Sequence, residues 1–347
     1  MANNSLKVIV ERNVPFLDAL AGLADVSYLP YPEITPDAVR DADALIVRTR
    51  NRCDAALLEG SRVSFIATAT IGTDHIDLPW CASAGIEVAN APGSNAPGVA
   101  QYVFSSLMRV INRPLRQYRI GIVGVGHVGS IVERWARAIG MEVMLCDPPR
   151  QQTEGGAHWH TLDELARHAD IITFHTPLTH GGDHPTFHLA DAAFFNSLRR
   201  APIIINSARG PVVDNRAWAE ALRAGIAGPA IIDCWEGEPR LDPALLALAS
   251  IATPHIAGYS IQGKQRASQM ALSALCRHFG LPDTPVTDAA GAPIVIAPCA
   301  GSITEAAALN GYDPTADTAA LRANPDDFER LRNTYALRPE LPEAIGY

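Results

Sequence analysis

An α/β fold with two parallel sheets is predicted by three observations. From residue 6 onward, short apolar runs suited to buried strands alternate with stretches of helical periodicity. A proline- and glycine-rich break, APGSNAPG at 91–98, divides that alternation into two parts. Polar residues also recur at one place in the pattern: Gly124, Asp147, Thr176, Arg209, Asp233 and His255 each fall just after an apolar run. In an open parallel sheet the ligand crevice lies beyond the carboxyl ends of the strands. Those six groups are therefore expected along one edge.

The elements follow in order. Residues 6–10, LKVIV, read as a first strand, and Phe16 to Leu23 as the helix behind it. Ala44–Val47, Val63–Ala67 and Glu87–Ala89 are further strands, which makes the first 95 residues a small α/β domain. Val99 to Ile111 is a connecting helix. From Arg119 the alternation resumes with strands at 120–123, 142–146, 171–175, 202–206, 230–232 and 251–253. Thr161-Leu162-Asp163-Glu164 has the form of a helix capping box. Gly258 to Phe279 is a long helix expected to return the chain to the first domain. The tail from 281 is richer in Pro and Ala, with a short strand expected at 294–296 and a helix within PDDFERLRNTYALRPE. It is short for a core of its own, so it is expected to pack on a neighbour or a second subunit.

Chemistry centres on RIGIVGVGHVGSIVERWARAIGMEVMLCD, 119–147. A strand, the pattern G-x-G-x-x-G at Gly124, Gly126 and Gly129, a helix with one apolar stripe, a stop at Gly140 and a second strand ending at Asp147 form one unit. Gly124 permits the tight turn, Gly126 lets a pyrophosphate approach the backbone, and Gly129 allows close packing. The helix N-terminus offers N–H groups to phosphates. Asp147 is placed to accept both ribose hydroxyls and to repel a 2′-phosphate, which favours NAD over NADP. Arg150 nearby weakens that preference.

Composition sets limits. The net charge of −9 argues against non-specific nucleic-acid binding. No apolar run approaches the ~20 residues of a membrane span. The start, MANNSLKVIVERN, lacks a signal-peptide pattern, and six scattered cysteines without C-x-x-C read as reduced thiols, so a cytoplasmic protein is expected. His158, His160, His168 and His175 fit no metal-ligand spacing, and no metal is expected.

Three residues are suited to acid–base work on a small acid. His255, at a strand end, can take a hydroxyl proton and return it. Glu238, in WEGEP, can fix the tautomer of that imidazole and favour imidazolium, whereas Glu236 reads as a solvated loop acid. Arg209, in NSARGP, can hold a carboxylate with two parallel hydrogen bonds.

Together these residues resemble the D-isomer-specific 2-hydroxyacid dehydrogenases. The likeness is carried by GIVGVGHVG at 121–129, NSARGPVVD at 206–214, DCWEGEP at 233–239 and TPHIAGYS at 253–260. It implies Arg209, Glu238 and His255 as the catalytic set. It implies cofactor contacts at Gly124, Gly126, His127, Val128, Gly129, Asp147, Thr176, Ala208, Asp233 and Gly258. A branch of that family acting on a phosphorylated 2-hydroxy acid is more similar still, through VRTR at 47–50, TATIGTDHID at 68–77, LCDPPR at 145–150, TFHTPL at 173–178, HIAGYSIQGK at 255–264 and FERLRNTY at 328–335. That likeness implies substrate contacts at Thr49, Thr70 and Tyr259, with Arg48 or Arg50 for the phosphate. Thr49 stands where a serine is common, and the hydroxyl is kept.

The resemblance thus implies two Rossmann-like or flavodoxin-like parallel-sheet domains plus a small C-terminal dimerisation region. Residues 1–95 and 258–280 would bind substrate, 96–257 would bind NAD, and 281–347 would form a homodimer contact. A dehydrogenase of another 2-hydroxy acid, such as a phosphoglycerate enzyme, and a non-catalytic NAD-sensing protein on the same fold are the alternatives.

Overall fold

The computed structural model describes residues 6–288, 290–295 and 301–341. Two compact units divide the chain: one takes it up to Asn95 and again from Ser260, and the other takes Ala96–Tyr259 with the C-terminal segment.

The first unit holds a five-stranded parallel sheet. Its strands are β1 (Lys7–Glu11), β2 (Asp25–Leu29), β3 (Ala44–Val47), β4 (Phe65–Thr68) and β5 (Glu87–Ala89), in the order β2-β1-β3-β4-β5. Central strands read as unbroken apolar runs because both faces are covered. Val8, Val10, Ala44, Ile46, Phe65 and Ala67 pack on one side, and Ile9, Leu45, Val47 and Ile66 on the other. That is the period of two of a strand buried on both faces. The helix Ile261–Phe279, capped by Ser260 onto Gly263 N, sends Ala267, Ala271, Leu272 and Leu275 into the first of these cores.

The second unit holds six parallel strands: β6 (Arg119–Val123), β7 (Glu142–Cys146), β8 (Ile171–Phe174), β9 (Ile203–Asn206), β10 (Ala230–Ile232) and β11 (Ile251–Ala252). Their order is β11-β10-β9-β8-β6-β7, so the winding reverses between β6 and β8. A crevice at the carboxyl edge is expected at such a reversal. Ile171, Ile203, Ile205 and Ile231 face the helices Ala96–Val110 and His127–Ile139, while Ile172, Ile204 and Ile232 face the opposite core.

The structure departs from the sequence reading in three places. Phe16 to Leu23 is not an α-helix: Phe16 takes a φ of 61° and only Asp18–Gly22 winds, as a 3-10 turn. β2 is an edge strand that the reading passed over, because only Val26 and Tyr28 interrupt its polar residues before Leu29. Thr287 and Pro293 form an antiparallel bridge instead of a strand beginning at Ile294; Ile296 lies outside the described residues.

The tail builds on its own chain. Helices Glu305–Gly311, Pro314–Ala323 and Phe328–Asn333 carry Ala308, Leu321 and Phe328 into the cores of the second unit, together with Ile303. Thr318 accepts from Ala252 N at 3.1 Å, which covers the open edge of β11. Glu305 accepts from Leu115 N at 2.6 Å, and Trp135 Nε1 donates to Gly301 O at 2.8 Å.

Candidate active site

The glycine segment after β6 has the form its residues require. Gly124 takes a φ of 84°, and a Cβ there would meet His175 C and Thr176 N at 2.9 Å, so the turn out of β6 runs directly against the end of β8. A Cβ on Gly129 would lie 2.1 Å from Gly124 O. A Cβ on Gly126 would meet nothing within 4 Å, so this side of the loop is open to a ligand. The helix beginning at His127 has no side-chain cap on its N-terminus. Gly126 and His127 are exposed there, with Val128 half-buried behind them. Thr176 Oγ1 is buried without a hydrogen-bond partner in the described structure. Open glycine, uncapped helix and an orphan hydroxyl at the winding reversal fit a dinucleotide pyrophosphate.

Asp147 ends β7 and holds the loop in place. Its Oδ2 accepts from Val125 N at 2.7 Å, and its Oδ1 accepts from Arg150 N at 3.1 Å, capping the helix Pro148–Glu154. Arg150 is drawn away from a 2′-phosphate role. Its guanidinium donates to Glu154 at 2.7 and 3.0 Å and to Val125 O. Asp147 thus ties the loop after β6 to the start of the helix Pro148–Glu154.

Three further strand ends are tied to one another. Asn206, the last residue of β9, accepts on its backbone oxygen from Asp233 N at 3.0 Å, and its amide nitrogen donates to Arg209 O at 3.0 Å. Gly210 lies so close to the β10 loop that a Cβ would fall 1.9 Å from Trp235 O. The Arg209 turn therefore sits on the segment that leads to Glu238. Ala208 is buried beneath it and accepts from the Cys234 thiol at 3.4 Å.

His255 Nδ1 lies 2.9 Å from Glu238 Oε2, while Glu238 Oε1 accepts from Trp235 N at 2.8 Å. Burial works against the charge of Glu238. The adjacent imidazole, its hydrogen bond and the Trp235 N–H outweigh burial and hold the carboxyl below its usual range. An ionised carboxylate only accepts, so Nδ1 carries the proton and a neutral His255 has its lone pair on Nε2. The imidazole is thereby set up as a general base.

The loop that carries His255 takes an uncommon shape. His255 has a φ of 56°. Asp233 anchors it from below: its carboxyl accepts from Ile256 N at 2.7 Å, Ala257 N at 2.9 Å and Thr253 Oγ1 at 2.7 Å. Burial pushes the Asp233 carboxyl up against these donors. Gly258 and Tyr259 close the loop, and the Tyr259 N–H donates to Ile256 O at 2.8 Å.

The remaining substrate candidates belong to the first unit. Arg48 and Thr49 follow β3, and Thr70 follows the neighbouring β4, whose Thr68 pairs with Val47. Thr70 Oγ1 bonds Thr68 Oγ1 at 2.6 Å and donates to Gly72 O at 3.2 Å. These groups share the carboxyl edge of their sheet.

Among the described residues, the ligand-type side chains close enough to hold a metal are Cys234, Glu238 and His255, with atoms within 4.8 Å. Burial pushes the Cys234 thiol well up, so it stays protonated and donates to a carbonyl. The group is thus accounted for by the Glu238–His255 pair and a neutral thiol. His175 is a neutral imidazole just past the end of β8: burial pushes it down to about 3, and Nε2 bonds Thr173 Oγ1 at 2.9 Å. Glu236 is not a solvated acid, since it pairs with His188 Nε2 at 2.7 Å and accepts from Asn215 N.

Sequence reading missed the part the tail plays. Tyr335 meets Tyr259 edge to face with ring centroids 6.1 Å apart. Arg332 hydrogen-bonds Tyr259 and lies near Glu238. Burial opposes its charge, but those two neighbours outweigh it and raise the guanidinium further. Nothing in the local pattern of RNTYALRPE marks these residues as neighbours of a histidine some 75–85 positions earlier.

Fold and site together define a dehydrogenase of 2-hydroxy acids that uses NAD. In agreement, residues 99–257 match the family model described as D-isomer specific 2-hydroxyacid dehydrogenase, NAD binding domain. A D-lactate dehydrogenase from Aquifex aeolicus, solved with NAD and lactic acid, has the same fold: TM-score 0.68, 24% identity, covering 79% of this chain and 96% of that one. The erythronate-4-phosphate dehydrogenase of Bacteroides fragilis is 48% identical over 341 residues, 96% of this chain and 97% of that protein. The enzyme of that name from Escherichia coli is 39% identical over 352 residues, 96% of this chain and 92% of its own. The chain belongs to the erythronate-4-phosphate dehydrogenase family.

Proposed function

We propose that the chain oxidises 4-phospho-D-erythronate to 2-oxo-3-hydroxy-4-phosphobutanoate with NAD, a step of pyridoxal 5′-phosphate biosynthesis. The observation that carries this reading is the His255–Glu238 pair at 2.9 Å in a chain that follows its relatives over 96% of its length. NAD, when bound, would supply the hydride acceptor for C2 of the hydroxy acid. His255 Nε2 takes the C2 hydroxyl proton, and Glu238 balances the imidazolium that forms. Arg209 pairs with the carboxylate and so fixes C2 beside the base. Gly124, Gly126, His127, Val128 and Gly129 receive the pyrophosphate, and Asp147 receives the ribose. Thr176, Ala208, Asp233 and Gly258 frame the nicotinamide side. Thr49, Thr70 and Tyr259 contact the substrate, and Arg48 or Arg50 supplies donors to its phosphate.

A substrate panel with NAD tests the reading. Turnover should be fastest with 4-phospho-D-erythronate; a clear preference for 3-phosphoglycerate, glycerate or lactate would overturn it. Two finer expectations belong with this function. The protein works in the cytoplasm, supported by five buried, unpaired cysteines and by the lack of any membrane-spanning helix among the described residues. It acts as a homodimer, supported by the likeness of FERLRNTY to the dimerisation region of this branch.

A further inference from the structure

Arg338 is a buried arginine far from any cofactor motif, with 7% of its surface exposed. A guanidinium is that deep only where most of its donors are engaged, and here both terminal nitrogens are while Nε meets no acceptor among the described residues. Nη1 donates to Ile256 O at 3.1 Å and to Tyr335 Oη at 3.3 Å, and Nη2 donates to Gly98 O at 3.1 Å and to Ala257 O. The charge also lies 4.4 Å from the ring centre of Tyr312, a favourable cation–π distance.

Two of those carbonyls belong to the residues directly after His255. The N–H groups of the same two residues rest on the Asp233 carboxyl, at 2.7 and 2.9 Å. Peptides 256 and 257 are thus gripped at both ends, by an acid on their donors and by a guanidinium on their acceptors. His255 itself sits at a φ of 56°, a backbone state that persists in a non-glycine residue only when its surroundings over-determine it.

We propose that Arg338 is a positioning residue for catalysis, locking the His255 loop from its carbonyl side as Asp233 locks it from its N–H side. The proposal rests on the dehydrogenase reading above. Through this clamp, the C-terminal segment that follows the last helix sets where the imidazole stands against Glu238. Replacing Arg338 by a side chain of similar bulk without donors strips the Ala257 carbonyl of its guanidinium partner and leaves the Ile256 carbonyl with the Tyr259 N–H alone. The loop then relaxes and the base moves away from its productive place.

The test uses the full chain with Arg338→Met and Arg338→Lys. Displacement of a catalytic group by about 1 Å costs about 10²-fold in rate, so Arg338→Met should lower kcat by about that factor and raise the KM for NAD far less, since Gly258 is the one proposed cofactor contact in the loosened loop. Arg338→Lys, which restores the charge and part of the hydrogen bonding, should recover a portion of kcat. Amide hydrogen exchange should rise locally, in residues 255–259, and not across β6–β10. Wild-type kcat in folded Arg338→Met overturns the proposal. So does a loss of kcat matched by an equal rise in the KM for NAD, or by exchange that rises throughout the unit, because that marks a general structural role. Should Arg338→Met not fold, the Lys variant decides by the same readouts. Hydrogen exchange needs no substrate, and kcat is taken with whichever 2-hydroxy acid the wild type oxidises best. A wrong substrate assignment and a wrong clamp therefore give different results.

Discussion

At the scale of single residues, His255 carries the largest expected effect. Removing its imidazole removes the proton acceptor of the proposed reaction, and general-base catalysis is worth about 10²–10⁴ in rate. His255→Ala should lower kcat by about that factor with NAD affinity intact, measured by steady-state kinetics and equilibrium titration. Glu238→Gln keeps the shape and removes the charge that favours imidazolium. The acid limb of kcat against pH should then move to lower pH; an unmoved limb means that Glu238 does not act through His255. The same residue links to stability. Its folded value lies below the ordinary glutamate value of 4.5, so its contribution is complete above 4.5 and is lost as pH falls through the folded value. Acid melts of Glu238→Gln should lack that loss. Asp147→Ala should narrow the preference for NAD over NADP, since Arg150 is held by Glu154 and Val125 O and supplies no competing phosphate site. A wild-type preference for NADP would contradict the role given to Asp147.

At the scale of elements, the loop between β6 and its helix separates two kinds of glycine. A Cβ at Gly129 meets Gly124 O at 2.1 Å and Gly124 C at 3.1 Å, backbone atoms that cannot swing aside. Gly129→Ala should destabilise the protein by about 1–3 kcal/mol, the usual cost of overpacking, seen as an earlier midpoint in denaturant. A Cβ at Gly126 meets nothing. Gly126→Ala should leave the midpoint in place and weaken NAD binding; undiminished NAD affinity would show that no phosphate approaches there. The helices and strands of this region were legible because each obeys its own period. The strand pattern failed at β2, where an edge strand buries little on either face. In the tail the helix expected within PDDFERLRNTYALRPE forms at Phe328–Asn333, while Glu305–Gly311 and Pro314–Ala323 went unread because their apolar positions answer to a surface the pattern does not contain.

At the scale of the whole molecule, the tail raises the question of assembly. Ile303, Ala308, Leu321 and Phe328 are buried in their own chain, so those side chains are not available to a second subunit. The dimer contact is therefore expected on the outer face of the tail. Light scattering of the full chain should give about twice the 37.1 kDa of one subunit. A mass of one subunit at working enzyme concentration would exclude the dimer.

The chain alone determined the two-sheet α/β class, the glycine turn before a helix, and Arg209, Glu238 and His255 as the groups to watch. Each of these depends on local periodicity or on a short motif, and such signals lie within about twenty consecutive residues. Tertiary structure decided what separated residues do to each other. It placed Glu238 on Nδ1 and so left the lone pair of a neutral imidazole on Nε2, engaged Arg150 with Glu154 and Val125 O, paired Glu236 with His188, and brought Arg338 to the loop it grips. Contacts across eighty or more positions arise from how sheets and helices pack, and no period along the chain encodes which carbonyl a distant guanidinium will meet.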